Sequence, residues 1–307
     1  MTNKVASSDA SKNSLYTALA FLLVLLIWST TPLAINWSSE GAPATSVSMR
    51  MLIGTAFCIC VLLIRRKNIP LHFTAVSLYL IGGLSMFVSL SMFYKAAQTV
   101  PSGWIAVLFG ISPIITGVLS SFVEPEAKLT PIKFIGLCLG FGGLYLVFSV
   151  GINFEDASVS GIVLILAATA ISSVASVASR YLVKNQSLSG MQVNTGSLLV
   201  ALPFFIITML LLEPEMRFDF SDRAIVGILY LGFIGTGVGF TLYYFLLKRV
   251  SASRLSLITL VTPIAALTLG SWLNNEPIVS EVWIGAVLVC AGLLLYEFKP
   301  KLGLRRM

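Results

Sequence analysis

Ten stretches of this chain are long and apolar enough to cross a bilayer, and that leaves few folds open. They cover residues 15–36, 43–64, 73–94, 100–122, 131–150, 161–179, 191–212, 224–247, 255–273 and 279–298. At about 1.5 Å of rise per residue, roughly 20 residues of helix span the hydrocarbon of a membrane. No water reaches that layer, so a spanning segment must close its backbone hydrogen bonds internally, which here means helices. A composition of 57% hydrophobic and 11% charged residues would coat a soluble domain in apolar surface. The expected fold class is therefore an all-α integral membrane protein. The first run, with Lys4 and Lys12 before it and Ala42-Pro43-Ala44 after it, has some features of a secretory signal. It is longer than the roughly 7–15 residues of such a core, and its loss would break the even number of spans, so an uncleaved helix is expected.

The chain also repeats itself. Met92-Phe93-Tyr94 aligns with Leu242-Tyr243-Tyr244, and in the same register Gly82 meets Gly232, Val100 meets Val250, Pro113 meets Pro263 and Glu126 meets Glu276. One residue of slippage later, Gly136 meets Gly285 and Gly143 meets Gly292. Self-similarity of this kind marks two copies of one fold unit. The division expected is a cytoplasmic N-terminal tail over 1–14, a first five-helix repeat over 15–150, a second over 159–298 and a basic cytoplasmic C-terminal tail over 299–307.

Basic residues set the orientation, because short cytoplasmic segments accumulate Lys and Arg. With the N-terminus inside, Lys4, Lys12, Arg65, Arg66, Lys67, Lys128, Lys133, Arg180, Lys184, Lys248, Arg249, Arg254, Lys299, Lys301, Arg305 and Arg306 face the cytoplasm; Arg50, Lys95, Arg217 and Arg223 do not. Both termini are then cytoplasmic. The loop after Tyr94 carries Lys95 alone, whereas its counterpart after Tyr244 carries Lys248, Arg249 and Arg254. Similar sequence with opposite charge dressing is what inverted five-helix repeats produce, since an odd number of spans flips the second copy. The net charge of +7 follows from this asymmetry and suits anionic lipid, so nucleic acid is not an expected partner.

The spans hold little reactive chemistry. No Asp or Glu lies in the interior of any run; Glu281 and Glu297 sit at the ends of the tenth. Coupling to a proton or sodium, which often uses a buried carboxylate, would have to run through a terminal group, the substrate, or backbone and hydroxyl oxygens. Cys58, Cys60, Cys138 and Cys290 lie within apolar runs and read as packing residues, and His72 is the single histidine, so neither a metal site nor another cofactor is expected. The glycines 232, 235, 237 and 239, and 136, 140, 142 and 143, lack the strand of a dinucleotide loop and instead permit close helix approach.

Two features point to a central site. Pro113 and Pro263 fall mid-run at matching places, where each removes an amide donor, and paired interruptions of this kind mark a hinge or binding site in duplicated carriers. Packing alone is the plainer reading of either. Hydroxyls and aromatics also gather at comparable depth: Trp28 and Ser29 in the first run, Phe87 and Tyr94 in the third, Trp104 and Ser112 in the fourth, Ser172 and Ser176 in the sixth, Tyr243 and Tyr244 in the eighth, Thr259 and Thr262 in the ninth. Such a lining suits a small amphiphilic or zwitterionic solute. Arg50 enters the second run and Lys95 ends the third; either draws a carboxylate or phosphate inward, or snorkels to outer headgroups.

These residues resemble the EamA-type group of the drug/metabolite transporter superfamily. The likeness rests on the duplicated segments SGWIAVLFGISPIITGVLSSFVEPE and ASRLSLITLVTPIAALTLGSWLNNE, on LIWSTTPLAI and on SMRMLIGTAF. It implies a secondary transporter that holds its substrate between helices 1, 3, 4, 6, 8 and 9, with helices 5 and 10 peripheral and available for a homodimer. It further implies a bacterial inner-membrane location and, for most similar proteins, export of amino acids or related metabolites. Two cations are few for a multiply charged phosphate. The departure in SSFVEPEAK, where Glu124 and Glu126 replace a Gly-Glu pair, carries no assigned role. Uptake or exchange of a metabolite stays open, and a lipid-modifying membrane enzyme or a channel stands behind it for want of a reactive cluster or a ring of like charge.

Overall fold

The computed structural model describes residues 2–39, 42–123, 130–150, 156–183, 186–214, 221–250, 255, 258–274 and 280–297. The C-terminal tail, Glu124 and Glu126 lie outside these residues, as does the side chain of Thr259. The helices are α1 (Thr2–Ser39), α2 (Pro43–Ile64), α3 (Phe73–Ala96), α4 (Ser102–Phe109), α5 (Ser112–Val123), α6 (Pro131–Val150), α7 (Asp156–Val183), α8 (Gly190–Leu212), α9 (Asp222–Tyr230), α10 (Phe240–Arg249), α11 (Ile258–Asn274) and α12 (Ser280–Glu297). A π-helical segment, Leu231–Gly239, joins α9 to α10. The described residues contain no strand. Among the described residues, seven spans are long and apolar enough to cross a membrane, from Leu15–Ser39 to Asp222–Arg249, and three shorter apolar helices fall in the fifth, ninth and tenth runs.

Local chemistry fixes the ends. α2 opens on Pro43, where the missing amide hydrogen costs nothing. The amides of Ala44 and Thr45 donate to the two Glu213 oxygens at 3.0 and 2.8 Å, and the Thr45 hydroxyl adds a third bond at 2.6 Å. A carboxylate on the positive end of a helix is well placed, and this one ties α2 to the end of α8. α8 starts with a capping box in which Ser189 Oγ accepts from the Gln192 amide while Gln192 Oε1 accepts from the Ser189 amide.

The matching prolines behave differently. The fourth run breaks at Gly110-Ile111, directly before Pro113, into α4 and α5. Pro263 instead sits inside an unbroken α11. Its ring packs over the break, since a Cβ built on Gly110 would lie 3.2 Å from Pro263 Cγ.

Contacts between helices keep their pattern when the two halves are exchanged. α3 packs on α7 as α1 packs on α9 and the π segment; α3 packs on α8 as α2 packs on the π segment; α1 packs on α11 as α5 packs on α7. The pairs α2–α8, α4–α11 and α6–α12 map onto themselves. In the last, Gly136 abuts the carbonyl of Gly292 and Gly143 that of Gly285, so in this antiparallel crossing the first contact maps onto the second when the repeats are exchanged. Reciprocal contacts of this kind define a two-fold relation.

The α6–α12 seam is sensitive to a single methyl. A Cβ at Gly136 would stand 2.5 Å from the Gly292 carbonyl, whereas one at Gly142 meets nothing within 4 Å. Gly136→Ala should therefore lower the unfolding temperature of the detergent-purified protein by the equivalent of about 1–3 kcal/mol. Gly142→Ala should leave it unchanged or raise it, having only the helix preference for alanine to express.

Candidate substrate-binding cavity

Between the halves lies a cavity of about 450 Å³, lined by α1, α3, α4, α5, α7 and α10, with single contributions from α2, α6, the π segment, α11 and α12, and from Leu255. The size suits a small solute rather than a polymer. Its wall has two textures. Trp28, Phe93, Phe109, Tyr243 and Tyr244 form an aromatic side: Trp28 stands 5.4 Å from Tyr243 and 6.3 Å from Phe109, and Phe93 meets Phe109 edge-on at 5.6 Å. Hydroxyls at helical spacing complete the wall, Ser112, Thr116 and Ser120 on α5 and Ser172 and Ser176 on α7. Ser176 bonds the Tyr243 hydroxyl at 2.7 Å, and Ser112 bonds Ser173 at 3.3 Å.

Arg50 is the residue of α2 on this wall. Its side chain is 1% exposed and borders the cavity; Nε donates to Thr236 Oγ1 at 2.9 Å, and Cζ lies 6.0 Å from the Tyr94 ring centre. Tyr94 is held in turn by a bond from the Ser38 hydroxyl at 3.3 Å. Nη1 of Arg50 is buried with no hydrogen-bond partner.

Thr236 belongs to the π segment, whose widened turns release carbonyls from the usual ladder. Asn194 on α8, fully buried, supplies the donor they need: its Nδ2 lies 2.9 Å from the Thr236 carbonyl and 3.1 Å from Thr241 Oγ1. Gly232 and Gly54 let α2 approach this segment, since a Cβ at Gly54 would lie 2.5 Å from Thr236 Cγ2 and one at Gly232 2.7 Å from Ile53 Cγ2.

Of the residues expected from sequence, the cavity gathers Trp28, Arg50, Ser112, Pro113, Ser172, Ser176, Tyr243, Tyr244 and Thr262. Ser29 instead donates to the Leu25 carbonyl at 2.8 Å within its own helix. Phe87 packs on Phe204 and Phe205 at 5.5 and 5.1 Å, and Trp104 against the neighbouring core. Tyr94 lies behind Arg50, and Pro263 behind the α4–α5 break. Lys95 is exposed and bonds Gln98 at 3.1 Å. Sequence reasoning missed Ser85, Ser89, Ser120, Lys133 and Arg180, all of which line the cavity. Two of these had a visible signal: Ser120 extends Ser112 and Thr116, and Arg180 extends Ser172 and Ser176, each at the four-residue step that keeps one helix face. Asn194, an amide inside an apolar run, was a third such signal.

Comparison with known proteins agrees with this architecture. The EamA-like transporter family model matches residues 15–149 and again 159–298. The chain belongs to that family, and its long apolar helices make it a multi-pass protein of the inner membrane. It is 27% identical to the uncharacterized transporter YoaV of Bacillus subtilis, over 91% of this chain and 96% of that one. It is 24% identical to a probable amino-acid metabolite efflux pump of Salmonella typhimurium, over 90% and 93%. A solved crystal structure superposes with a TM-score of 0.70 at 20% identity, covering 92% of this chain and 97% of the other.

Removing the Asn194 amide would strand the π-segment carbonyls in a buried setting. Asn194→Ala should lower stability by about 1–3 kcal/mol, read as a fall in unfolding temperature, whereas Gln98→Ala at the exposed end of α3 should not.

Proposed function

We propose that this protein is a secondary carrier that exports small amino acids or related amphiphilic metabolites by alternating access. The reading rests above all on a cavity of about 450 Å³ between two related halves, lined by both hydroxyls and aromatics. Export draws support from relatives called probable amino-acid metabolite efflux pumps in Salmonella typhimurium and Escherichia coli. The topology that goes with it has ten spans in two inverted repeats, 15–150 and 159–298, with both termini in the cytoplasm. The exchange-symmetric helix contacts support this, because a two-fold axis crossing an antiparallel pair of spanning helices lies in the membrane plane.

On this reading the conformation is inward-facing. α5 and α7 line the cavity through Ser112–Ser120 and Ser172–Arg180, α6 through Lys133 in its first turn and α12 through Tyr296 in its last. These are the ends that the basic residues assign to the cytoplasm. Towards the other end Ile35, Phe93 and Ile105 are buried and close the path. The cavity residues make contact with substrate, while Tyr94 positions Arg50 and the prolines 113 and 263 form the joint of each repeat. The outer faces of α6 and α12, carrying Phe134, Tyr145, Ile284 and Leu294, meet lipid or a second copy.

The primary test is counterflow in proteoliposomes, screened over amino acids and related metabolites with and without a pH gradient. Saturable counterflow is expected; dependence on the gradient would reveal proton coupling, and net flux direction would separate export from uptake. Tyr94→Ala and Pro263→Ala should cut the rate several-fold without loss of membrane insertion, and normal transport in both would remove support for the central site. For the facing state, single cysteines are placed in a cysteine-free background. Ser120→Cys should react with a membrane-impermeant maleimide only from the cytoplasmic side, and Ile35→Cys from neither side at rest.

A further inference from the structure

The cavity as described has a charge imbalance on its wall. Arg50 is a guanidinium almost wholly removed from water, with one hydrogen bond to a neutral hydroxyl, one aromatic face at 6.0 Å and a buried Nη1 that bonds nothing. A buried cation is costly unless an anion meets it, and an orphaned donor adds to that cost. Structural arginines in such settings are normally answered by a carboxylate from the protein. Here no described residue does so: no Asp or Glu lies in the interior of any apolar run, and no acid is among the described residues that line the cavity. The counter-charge is left for a ligand to supply.

We propose that Arg50 is the receptor for the carboxylate of the transported solute, and that the preferred solute is an organic carboxylate with an apolar body and no free ammonium group. This rests on the carrier reading and narrows its substrate class. The carboxylate would seat against the arginine fork, where two parallel N–H donors match its two oxygens. The apolar body would extend along Phe93, Phe109 and Trp28, which line the same cavity. An ammonium would find no carboxylate in the membrane-embedded wall. The aromatic faces return only part of the cost of stripping water from a cation, so an amino acid is disfavoured against its 2-oxo counterpart. A phosphate monoester is disfavoured for another reason: at Arg50 a dianion would meet one guanidinium, the other two cations of the lining, Lys133 and Arg180, belonging to the segments assigned to the cytoplasmic end. The second half of the molecule takes part through Thr236, whose bond to Nε fixes the plane of the guanidinium. Substrate arriving at Arg50 thus touches the junction of α2 with the π segment directly.

The experiment compares near-isosteric probes on the wild-type carrier in proteoliposomes: 4-methyl-2-oxopentanoate, leucine, 4-methyl-2-oxopentanamide and a small alkyl phosphate, alongside the wide solute panel. The oxo acid is expected to drive saturable counterflow, with leucine, the amide and the phosphate each at least about tenfold less effective as competitors, the scale of one lost charge-assisted hydrogen bond. Arg50→Gln should lower oxo-acid transport by a similar factor, and Arg50→Lys should restore part of it. If Arg50→Gln does not fold, the wild-type competition series decides alone. Leucine or the phosphate equalling the oxo acid would overturn the substrate class while leaving a carrier; unchanged oxo-acid transport in a folded Arg50→Gln would overturn the receptor. Transport of some other panel solute, with the oxo acid inert, would reject this proposal and keep the carrier. Silence across the whole panel from folded protein would reject both.

Discussion

Hydrocarbon offers no hydrogen bonds, and the rest of this structure depends on that deficit. It forces the apolar runs into helices, and it makes each lapse from regular helix a place that needs a partner. Two lapses stand out among the described residues, the Gly110-Ile111 break and the π segment Leu231–Gly239. Gly110 and Ile111 are buried, and the π segment buries Gly235 and Thr236 while Phe233 and Ile234 stay exposed. At the second, Asn194 meets the Thr236 carbonyl and Thr236 meets Arg50. At the first, Ser112 and Ser173 bond each other beside Pro113. The cavity runs between these two irregular stretches, with Phe109, Pro113, Gly235 and Phe240 all on its wall. The cavity thus lies where backbone polarity could not be settled locally.

Much of the fold was legible because length and apolarity act over short distances. The long runs declare helices whatever surrounds them, and the repeated segments anticipated contacts that survive exchange of the halves. The break before Pro113 was not legible from the proline, which has an equal at Pro263. What differs lies three residues earlier, where the first copy has Gly110 and the second Leu260. A glycine there weakens the helix just where the proline removes a donor, so one copy breaks and the other holds. The glycines of the eighth run were read as packing residues. They do admit α2, but the same loss of side chains accompanies a widened turn that nothing in the spacing announced.

For the cavity, depth was easier to read than azimuth. Trp28 and Ser29 share a level, yet the helical turn of roughly 100° between neighbours sends one to the cavity and the other back to Leu25. Phe87 and Trp104 fail to reach it for the same reason. Hydroxyls at four-residue steps do fix a face, which is why Ser112 and Ser176 were sound guides and why Ser120 and Arg180 could have been added. Arg180 and Lys133 were counted only as markers of the cytoplasmic side, although a long side chain near a helix end can serve orientation and lining together.

The glycine seam between α6 and α12 sets a mechanical condition on whatever motion the protein makes. Backbone rests on backbone at Gly136 and Gly292, and again at Gly143 and Gly285, with no side chain between to rotate out of the way. Two such points define a line, and close-packed contacts resist shear along it. The seam therefore behaves as a fulcrum: atoms near it travel little, and displacement grows with lever arm across the molecule.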